Sequence, residues 1–205
     1  MKITHVTDSY GQVTALLKDG NFLWIGYIAG GQARLRKVSI YDTSLLFYDG
    51  VINATKIIRI RTGSSADTYI QLVLDSATYI GAAISKNFPT SHTYAPKPTG
   101  VTQNAVDVAV YITPQSLAYA YYLIPGIEVS VPAKITRQYE ATSGQPYEVA
   151  DLTLGGTTLY TPSAMTLDEN LHLWLVTYTD PVKLMQITLD ETYGYITMSL
   201  IKNLG

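Results

Sequence analysis

An all-β fold is predicted by the pattern of hydrophobic residues, by the composition and by the turns. Apolar residues alternate with polar ones in short runs such as VTALL (13–17), KIIRIRT (56–62) and KLMQITL (183–189). Alternation at every second residue is typical of half-buried strands. Charged residues make up 15% of the 205 residues and hydrophobic residues 47%. This balance indicates a folded domain rather than a disordered chain.

At least ten strands are predicted, at spacings of about 8 to 12 residues. The same alternation marks FLWIGYI (22–28), RLRKVSIY (34–41), YIQLVL (69–74), VDVAVYI (106–112), LAYAYYLI (117–124), IEVSV (127–131) and HLWLVTY (172–178). No stretch keeps the apolar spacing of an amphipathic helix for three turns. In LAYAYYLI, we expect Tyr119 and Tyr121 to share one face of the strand and Tyr122 to lie on the other.

Four turns divide the predicted strands into hairpins, and each is followed by a strand with aromatic or apolar residues. They are KDGN (18–21), LDSAT (74–78), ITPQS (112–116) and DENL (168–171). Asp-Gly is the strongest short signal for a hairpin. The turns recur every roughly 40 to 55 residues, which is the interval expected of a repeat protein.

Two copies of the repeat match best, residues 13–40 and 163–189. In each, an aspartate (Asp19, Asp168) is followed by an asparagine two residues later and then by a Leu-Trp pair ending at Trp24 or Trp174. The pattern resembles β-propeller repeats, without the signature of any one propeller family. The resemblance implies four-stranded antiparallel blades, of which 205 residues hold about four. It also implies equivalent, mostly buried positions for the two tryptophans.

The alternative to a propeller is a β-sandwich or jelly roll, in which Asp-Gly turns and Leu-Trp strands also occur. In either case we expect a single all-β domain over residues 1–205, with a sub-boundary near residue 95. Residues 86–104 carry Pro89, Pro96 and Pro98. This segment is predicted to be a long exposed loop or linker.

Few residues form a pattern typical of catalysis. The chain has no cysteine, and neither a nucleophile elbow nor a phosphate-binding glycine loop occurs. The histidines His5, His92 and His172 do not have metal-ligand spacing. Five of the eleven aspartates stand directly beside Gly, Asn, Ser or Pro, where an aspartate stabilises a turn. We therefore predict no catalytic residue, no metal and no cofactor.

Four arginines stand at strand spacing, Arg34 with Arg36 and Arg59 with Arg61. Each pair is expected to share one face of a sheet. The face is either exposed to solvent or a patch for an anionic ligand or an acidic partner.

Binding through aromatic residues is suggested by the 17 tyrosines, against 3 phenylalanines and 2 tryptophans, because tyrosine is enriched in recognition surfaces. The candidates are Tyr119 and Tyr121 on their strand, and His92 and Tyr94 in the proline-containing segment. We expect protein partners or self-association, with a glycan as a further ligand. A net charge of −2 gives no basis for nucleic-acid binding. Neither a membrane span nor a signal peptide is predicted, and the localisation stays open.

Low charge with many Tyr, Thr and Gly residues resembles the composition of phage and other virion proteins, such as tail, fibre or decoration components. This resemblance implies a non-enzymatic structural or adhesive module, working in an oligomer or a larger particle and binding a receptor. The alternative function is a carbohydrate-active hydrolase that uses a pair of carboxylates. Two facing acids about 5 to 9.5 Å apart would mark such an enzyme.

Overall fold

The structure is a computed structural model. It describes residues 11–62, 68–112, 118–126, 132–139, 147–151, 153–154, 157–158, 162–168, 170, 172–177, 182–189 and 196–203. These residues form strands and their connections, with no helix among them. A helix that could span a membrane is therefore not found in these ranges.

The first half of the chain forms two four-stranded antiparallel sheets, which we call blades 1 and 2. Blade 1 contains β1 (Gln12–Asp19), β2 (Phe22–Ala29), β3 (Gln32–Ser39) and β4 (Leu46–Val51). Blade 2 contains β5 (Lys56–Thr62), β6 (Tyr69–Asp75), β7 (Tyr79–Ser85) and β8 (His92–Pro96).

The second half forms blades 3 and 4 and a short two-stranded sheet between them in sequence. Blade 3 contains β9 (Asp107–Ile112), β10 (Ala118–Ile124), β11 (Lys134–Tyr139) and β12 (Tyr147–Asp151). The short sheet pairs β13 (Thr153–Leu154) with β14 (Thr157–Thr158). Blade 4 contains β15 (Pro162–Leu167), β16 (His172–Thr177), β17 (Lys183–Leu189) and β18 (Ile196–Asn203).

The arrangement of the blades is that of a propeller. Within each blade the strands lie in sequence order, so the first strand is always at an edge. The first strands of successive blades contact one another, β1 with β5, β5 with β9, and β9 with β15. The predicted all-β, propeller-like fold is confirmed. The structure is not a sandwich of two facing sheets. Its four sheets pack one after another, and their first strands lie side by side.

Each interface between successive blades holds a buried hydrophobic cluster. Its members come from alternate positions of the facing strands, because every second side chain of a strand points to the same face. Burying one large aliphatic side chain contributes about 1.5–3 kcal/mol. The leading residues are Trp24, Leu35, Ile57 and Leu72 between blades 1 and 2, Val73, Ile80, Val108 and Tyr122 between blades 2 and 3, and Tyr121, Leu123, Leu173 and Leu175 between blades 3 and 4.

A glycine allows blades 2 and 3 to approach closely. The ring of Tyr122 lies over Gly81, and a Cβ atom at that position would stand 2.3 Å from the ring carbon Cε1. The Tyr122 hydroxyl then donates a hydrogen bond of 3.1 Å to Oε1 of the fully buried Gln71. Any larger side chain at position 81 would separate the two sheets, because packed interiors have no room for added atoms.

The prediction of a long loop over residues 86–104 is wrong in its middle. His92–Pro96 form β8, and Ala95 is fully buried. The prolines do not prevent this, because β8 is an edge strand and Pro96 is its last residue. The sub-boundary near residue 95 stays a prediction. The predicted hairpin turn at 112–116 falls almost wholly outside the described residues.

Candidate functional site

An open groove of about 490 Å³ lies between blades 1 and 2. Its wall includes the connection from β4 to β5, and this connection is held by backbone hydrogen bonds on both sides. Ile52 N donates to Ala33 O at 2.9 Å, and Thr55 N donates to Asp75 O at 2.9 Å. The lining residues are Gln32, Val51, Ile52, Asn53, Ala54, Thr55, Ser76, Ala77, Thr78 and Tyr94.

The chemistry of this lining is neutral and polar. Gln32 and Asn53 carry side-chain amides, while Thr55, Ser76 and Thr78 carry hydroxyls. Each of these groups can both donate and accept hydrogen bonds. None of the described lining residues is charged. The groove therefore suits a ligand that is itself uncharged and rich in hydroxyl groups.

Two of the binding candidates from the sequence, His92 and Tyr94, lie at this groove or next to it. Tyr94 lines the groove, and its hydroxyl accepts a hydrogen bond of 3.0 Å from Asn53 N. Its ring lies 4.7 Å from that of Tyr79 and 6.1 Å from that of His92, measured between centroids. These contacts hold the Tyr94 ring in one orientation.

His92 itself is part of the support for Tyr94. Its Nε2 lies 2.7 Å from Pro89 O and 2.9 Å from the hydroxyl of Tyr48. Since a carbonyl oxygen only accepts hydrogen bonds, Nε2 is the donor to Pro89 O. His92 therefore links Tyr48 of blade 1 to the β7–β8 connection, and its ring supports that of Tyr94.

The other two binding candidates, Tyr119 and Tyr121, point into the chain itself. They share a face of β10, and Tyr122 packs on the opposite side, as the alternation predicts. Tyr121 is buried between blades 3 and 4, and Tyr119 packs against the same cluster under the guanidinium of Arg137, at 5.0 Å. The face that we expected to contact a partner is thus covered by blade 4.

The two repeat tryptophans occupy the same register position. Trp24 pairs with Leu17, and Trp174 pairs with Thr166. Trp24 is fully buried against blade 2. Trp174 is only half-buried, because its neighbour Leu173 is the residue that faces blade 3 and adjacent residues of a strand point to opposite faces.

The two repeat aspartates have different partners. Asp19 forms an ion pair with Lys86, Nζ to Oδ1, at 3.1 Å. Asp168 instead stabilises its own turn, since its Oδ1 accepts hydrogen bonds from Asn170 N at 2.8 Å and from His172 N at 2.9 Å. Its Oδ2 accepts one of 2.7 Å from Nε1 of Trp174.

The hydrogen bonds to Asp168, led by that from the Trp174 indole, lower the pKa of its carboxyl to about 2. Because the folded pKa is depressed, the stabilising effect is full above the unfolded value of about 4 and is lost as the pH falls through about 2. We expect Asp168→Asn to lower the melting temperature at pH 7. The difference from the wild type should shrink by about half at pH 3, measured by circular dichroism. A difference that stays constant down to pH 3 would contradict this assignment.

The arginine pairs share one face each, as predicted, and both meet an aspartate of the same chain. Arg34 and Arg36 converge on Asp49, whose Oδ1 also accepts a hydrogen bond of 2.7 Å from the Tyr27 hydroxyl. Burial alone would raise the pKa of Asp49, but the hydrogen bonds from Arg36, Tyr27 and Arg34 outweigh it and lower the pKa.

The second arginine pair, Arg59 and Arg61, lies next to Asp107. Each pair is thus bound to an aspartate within the chain, and the expectation of an anionic ligand or an acidic partner stays a prediction.

Sequence reasoning missed the groove. Its lining comes from turns and connections, such as Gln32 at the β2–β3 turn and Ser76 at the β6–β7 turn. Polar residues in turns have an ordinary structural explanation, so no signal in the sequence sets these apart. The carboxylate pair expected of a hydrolase is not found among the described groove residues. Asp75 lies next to Ser76, and its Oδ1 accepts a hydrogen bond of 2.7 Å from Nδ2 of Asn104.

The described carboxylates elsewhere also have partners, including Asp42, whose Oδ1 accepts a hydrogen bond of 2.6 Å from the Ser44 hydroxyl. The remaining acids have side chains outside the described part of the chain. They are Asp8, Asp67, Glu128, Glu140, Glu148, Asp151, Glu169, Asp180, Asp190 and Glu191.

Comparison with known proteins gives structural matches only. No family model and no curated protein matches the chain. It is similar in structure to an endo-arabinase from Bacteroides thetaiotaomicron VPI-5482, with a TM-score of 0.45 and 13% identity over 95% of this chain and 85% of that one. It is also similar to the GH43_1 enzyme from Xanthomonas citri, with a TM-score of 0.43 and 15% identity over 95% of this chain and 75% of that one.

The same Xanthomonas citri enzyme complexed with xylose matches with a TM-score of 0.42 and 12% identity over 94% and 74% of the two chains. The prediction of a non-enzymatic structural or adhesive module is contradicted by these matches, all three of which are enzymes. The expectations of a virion, phage, tail or receptor-binding role find no support in them.

Proposed function

We propose that the protein is a carbohydrate-active hydrolase that binds a neutral saccharide in the groove between blades 1 and 2. The observation that carries the proposal is the lining of this groove, which combines side-chain amides, hydroxyls and one aromatic ring without a charged group among its described members. A saccharide presents many hydroxyls and no charge, so amides and hydroxyls match it in both donors and acceptors.

In the described part of the chain, the hydrogen bonds within the wall leave two hydroxyl protons unused. The Ser76 hydroxyl oxygen accepts from Thr78 N at 3.2 Å and from Tyr79 N at 3.3 Å, so its own proton is available to a ligand. The Tyr94 hydroxyl accepts from Asn53 N, which leaves its proton available too. Groups fixed in this way lose little side-chain freedom on binding.

Tyr94 also supplies the apolar part of the groove. An aromatic ring can pack on the C–H face of a sugar while its hydroxyl takes part in hydrogen bonding. Because Tyr79 and His92 hold this ring, it forms a rigid platform. A rigid platform of this kind favours one orientation of the saccharide along the groove.

Hydrolysis needs two carboxylates, and the described lining residues contain none. The proposal therefore places the reacting acids outside the described groove wall. Replacing each acid in turn by its amide, followed by a reducing-sugar assay, identifies them. Asp42→Asn is the control for this series, because Asp42 is exposed and its side chain is hydrogen-bonded only to Ser44 in the described part of the chain.

Binding is tested with a panel of neutral pentose and hexose oligosaccharides in isothermal titration calorimetry. We expect Gln32→Ala and Asn53→Ala each to weaken binding about three- to ten-fold, the effect of one neutral hydrogen bond. Gln103→Ala is the matched control, because Gln103 lies outside the groove lining and donates to Thr102. If no oligosaccharide binds, or if Gln103→Ala weakens binding equally, the groove is not the saccharide site.

A further inference from the structure

The inner strands of blades 2 and 3 bring two arginines to one buried aspartate. Asp107, the first residue of β9, has a side chain with 0% exposure. Its Oδ1 accepts a hydrogen bond of 3.1 Å from Arg61 Nε, and its Oδ2 accepts one of 3.0 Å from Arg61 NH2. Met165 N of β15 also donates to Oδ2, at 3.0 Å. The carboxylate therefore holds blades 2, 3 and 4 together.

Arg59 stands beside this ion pair without sharing in its hydrogen bonds. Its Nε donates to Val106 O at 2.9 Å and lies 3.7 Å from Oδ1 of Asp107. In the described part of the chain no hydrogen bond is made by its two terminal nitrogens. The side chains of Arg59 and Arg61 are 40% and 42% exposed, so each is open to solvent over part of its length.

Among the described residues, two guanidinium groups face one carboxylate here, as they do at Asp49, but the only hydrogen bond of the Arg59 guanidinium goes to Val106 O and not to the carboxylate. A guanidinium with a free NH1/NH2 edge presents parallel N–H donors at the spacing of two oxygens of a carboxylate or phosphate. The edge is also preorganised, because Arg59 is fixed at Nε and Arg61 is fixed by Asp107. Preorganised donors bind a ligand with a smaller loss of entropy.

In the other arginine pair, Arg34 and Arg36, both guanidinium groups donate hydrogen bonds to the carboxylate of Asp49. Arg34 donates from Nε to both the Tyr27 hydroxyl and Asp49, and its NH2 lies 3.1 Å from Asp49 Oδ1. Arg36 contacts Asp49 through Nε and NH2. Here both guanidinium groups direct their Nε/NH2 edges at the carboxylate, whereas Arg59 does not.

We propose that Arg59, with Arg61, forms an oxyanion-binding site at the inner strands β5 and β9, taking one carboxylate or phosphate group of a ligand. The site is separate from the groove between blades 1 and 2, since Arg59 faces blade 3 through Val106. It does not depend on the proposed hydrolase activity. Either a carboxylated sugar or a phosphorylated molecule presents the same pair of oxygens.

Isothermal titration of the full chain with inorganic phosphate and with galacturonate tests the site, and galactose serves as the uncharged control. We expect one anion per chain to bind, and the anion that binds better identifies the source of the oxyanion. Arg59→Gln should weaken that binding at least about ten-fold, because a charge-assisted hydrogen-bond pair is lost. Arg59→Lys should weaken it less, because the charge remains.

Arg34→Gln is the matched control, since it also removes one of two arginines beside an aspartate. It should leave anion binding unchanged. Circular dichroism establishes that each variant is folded, and the more conservative Arg59→Lys provides the test if Arg59→Gln does not fold. The site is disproved if neither anion binds at about 10 mM, a concentration at which even a millimolar site is largely filled. It is also disproved if Arg59→Gln weakens the binding of galactose as much as that of galacturonate, or if Arg34→Gln and Arg59→Gln weaken anion binding equally.

Discussion

Trp24→Ala is expected to lower the free energy of unfolding by about 3–5 kcal/mol, the usual cost of removing a large buried ring. The Trp24 side chain is fully buried between blades 1 and 2. Its loss would leave a cavity beside Leu35 and Ile57, which strands hydrogen-bonded into their sheets cannot easily fill. Urea unfolding followed by circular dichroism measures the difference. The slope of the transition should stay the same if only stability changes.

Trp174→Ala is the matched comparison, because Trp174 occupies the same register position in blade 4. Sequence alone predicts the same cost for both substitutions. The half-buried environment of Trp174 leads us to expect a smaller loss, about 1–2 kcal/mol. Part of it would come from the hydrogen bond to Asp168. Equal losses for the two variants would show that Trp174 is covered as fully as Trp24 in solution.

Asp107→Asn is expected to cost about 3 kcal/mol, because removing one partner of a buried ion pair leaves polar groups unsatisfied. The substitution keeps the shape of the side chain but removes its charge. It also places an amide N–H where an oxygen now accepts from either Arg61 or Met165 N. Because Arg61 is 42% exposed, water can solvate it in part, so the cost stays below that of a fully buried pair.

Chemical unfolding of Asp107→Asn beside Asp42→Asn separates this effect from a general loss of negative charge. Asp42 is exposed, so its replacement should change the free energy of unfolding by less than about 0.5 kcal/mol. Similar values for the two variants would contradict the assignment of Asp107 as the residue that joins three blades.

Much of the local structure could be predicted from the sequence. The alternation in LAYAYYLI places Tyr121 and Tyr122 on opposite faces of β10, as the structure shows. The Asp-Gly turn at Asp19 joins β1 to β2 with Gly20 at a positive φ of 56°. These features depend on neighbouring residues alone, since the pleat of a strand and the conformation of a turn are local properties.

The sequence analysis missed the strand at His92–Pro96 because this strand depends on pairing with β7 and not on its own residues. Proline and polar residues in this segment are typical of a loop, but β7 supplies an edge on which the segment can pair. Pairing with a strand that is already folded provides the hydrogen bonds that the local sequence does not favour. Position at the edge of the blade makes the prolines acceptable.

Repeated antiparallel hairpins, and the residues that share a face of each strand, can be predicted from the sequence alone. What each face contacts depends on how the blades pack. The tertiary structure placed Trp24 against the next blade and left Trp174 half-buried, although the two share a motif. It also brought Arg59 and Arg61 to Asp107, more than forty residues away along the chain. The physical reason is that alternation and turns act within a few residues, whereas burial and ion pairing depend on groups that only folding brings together.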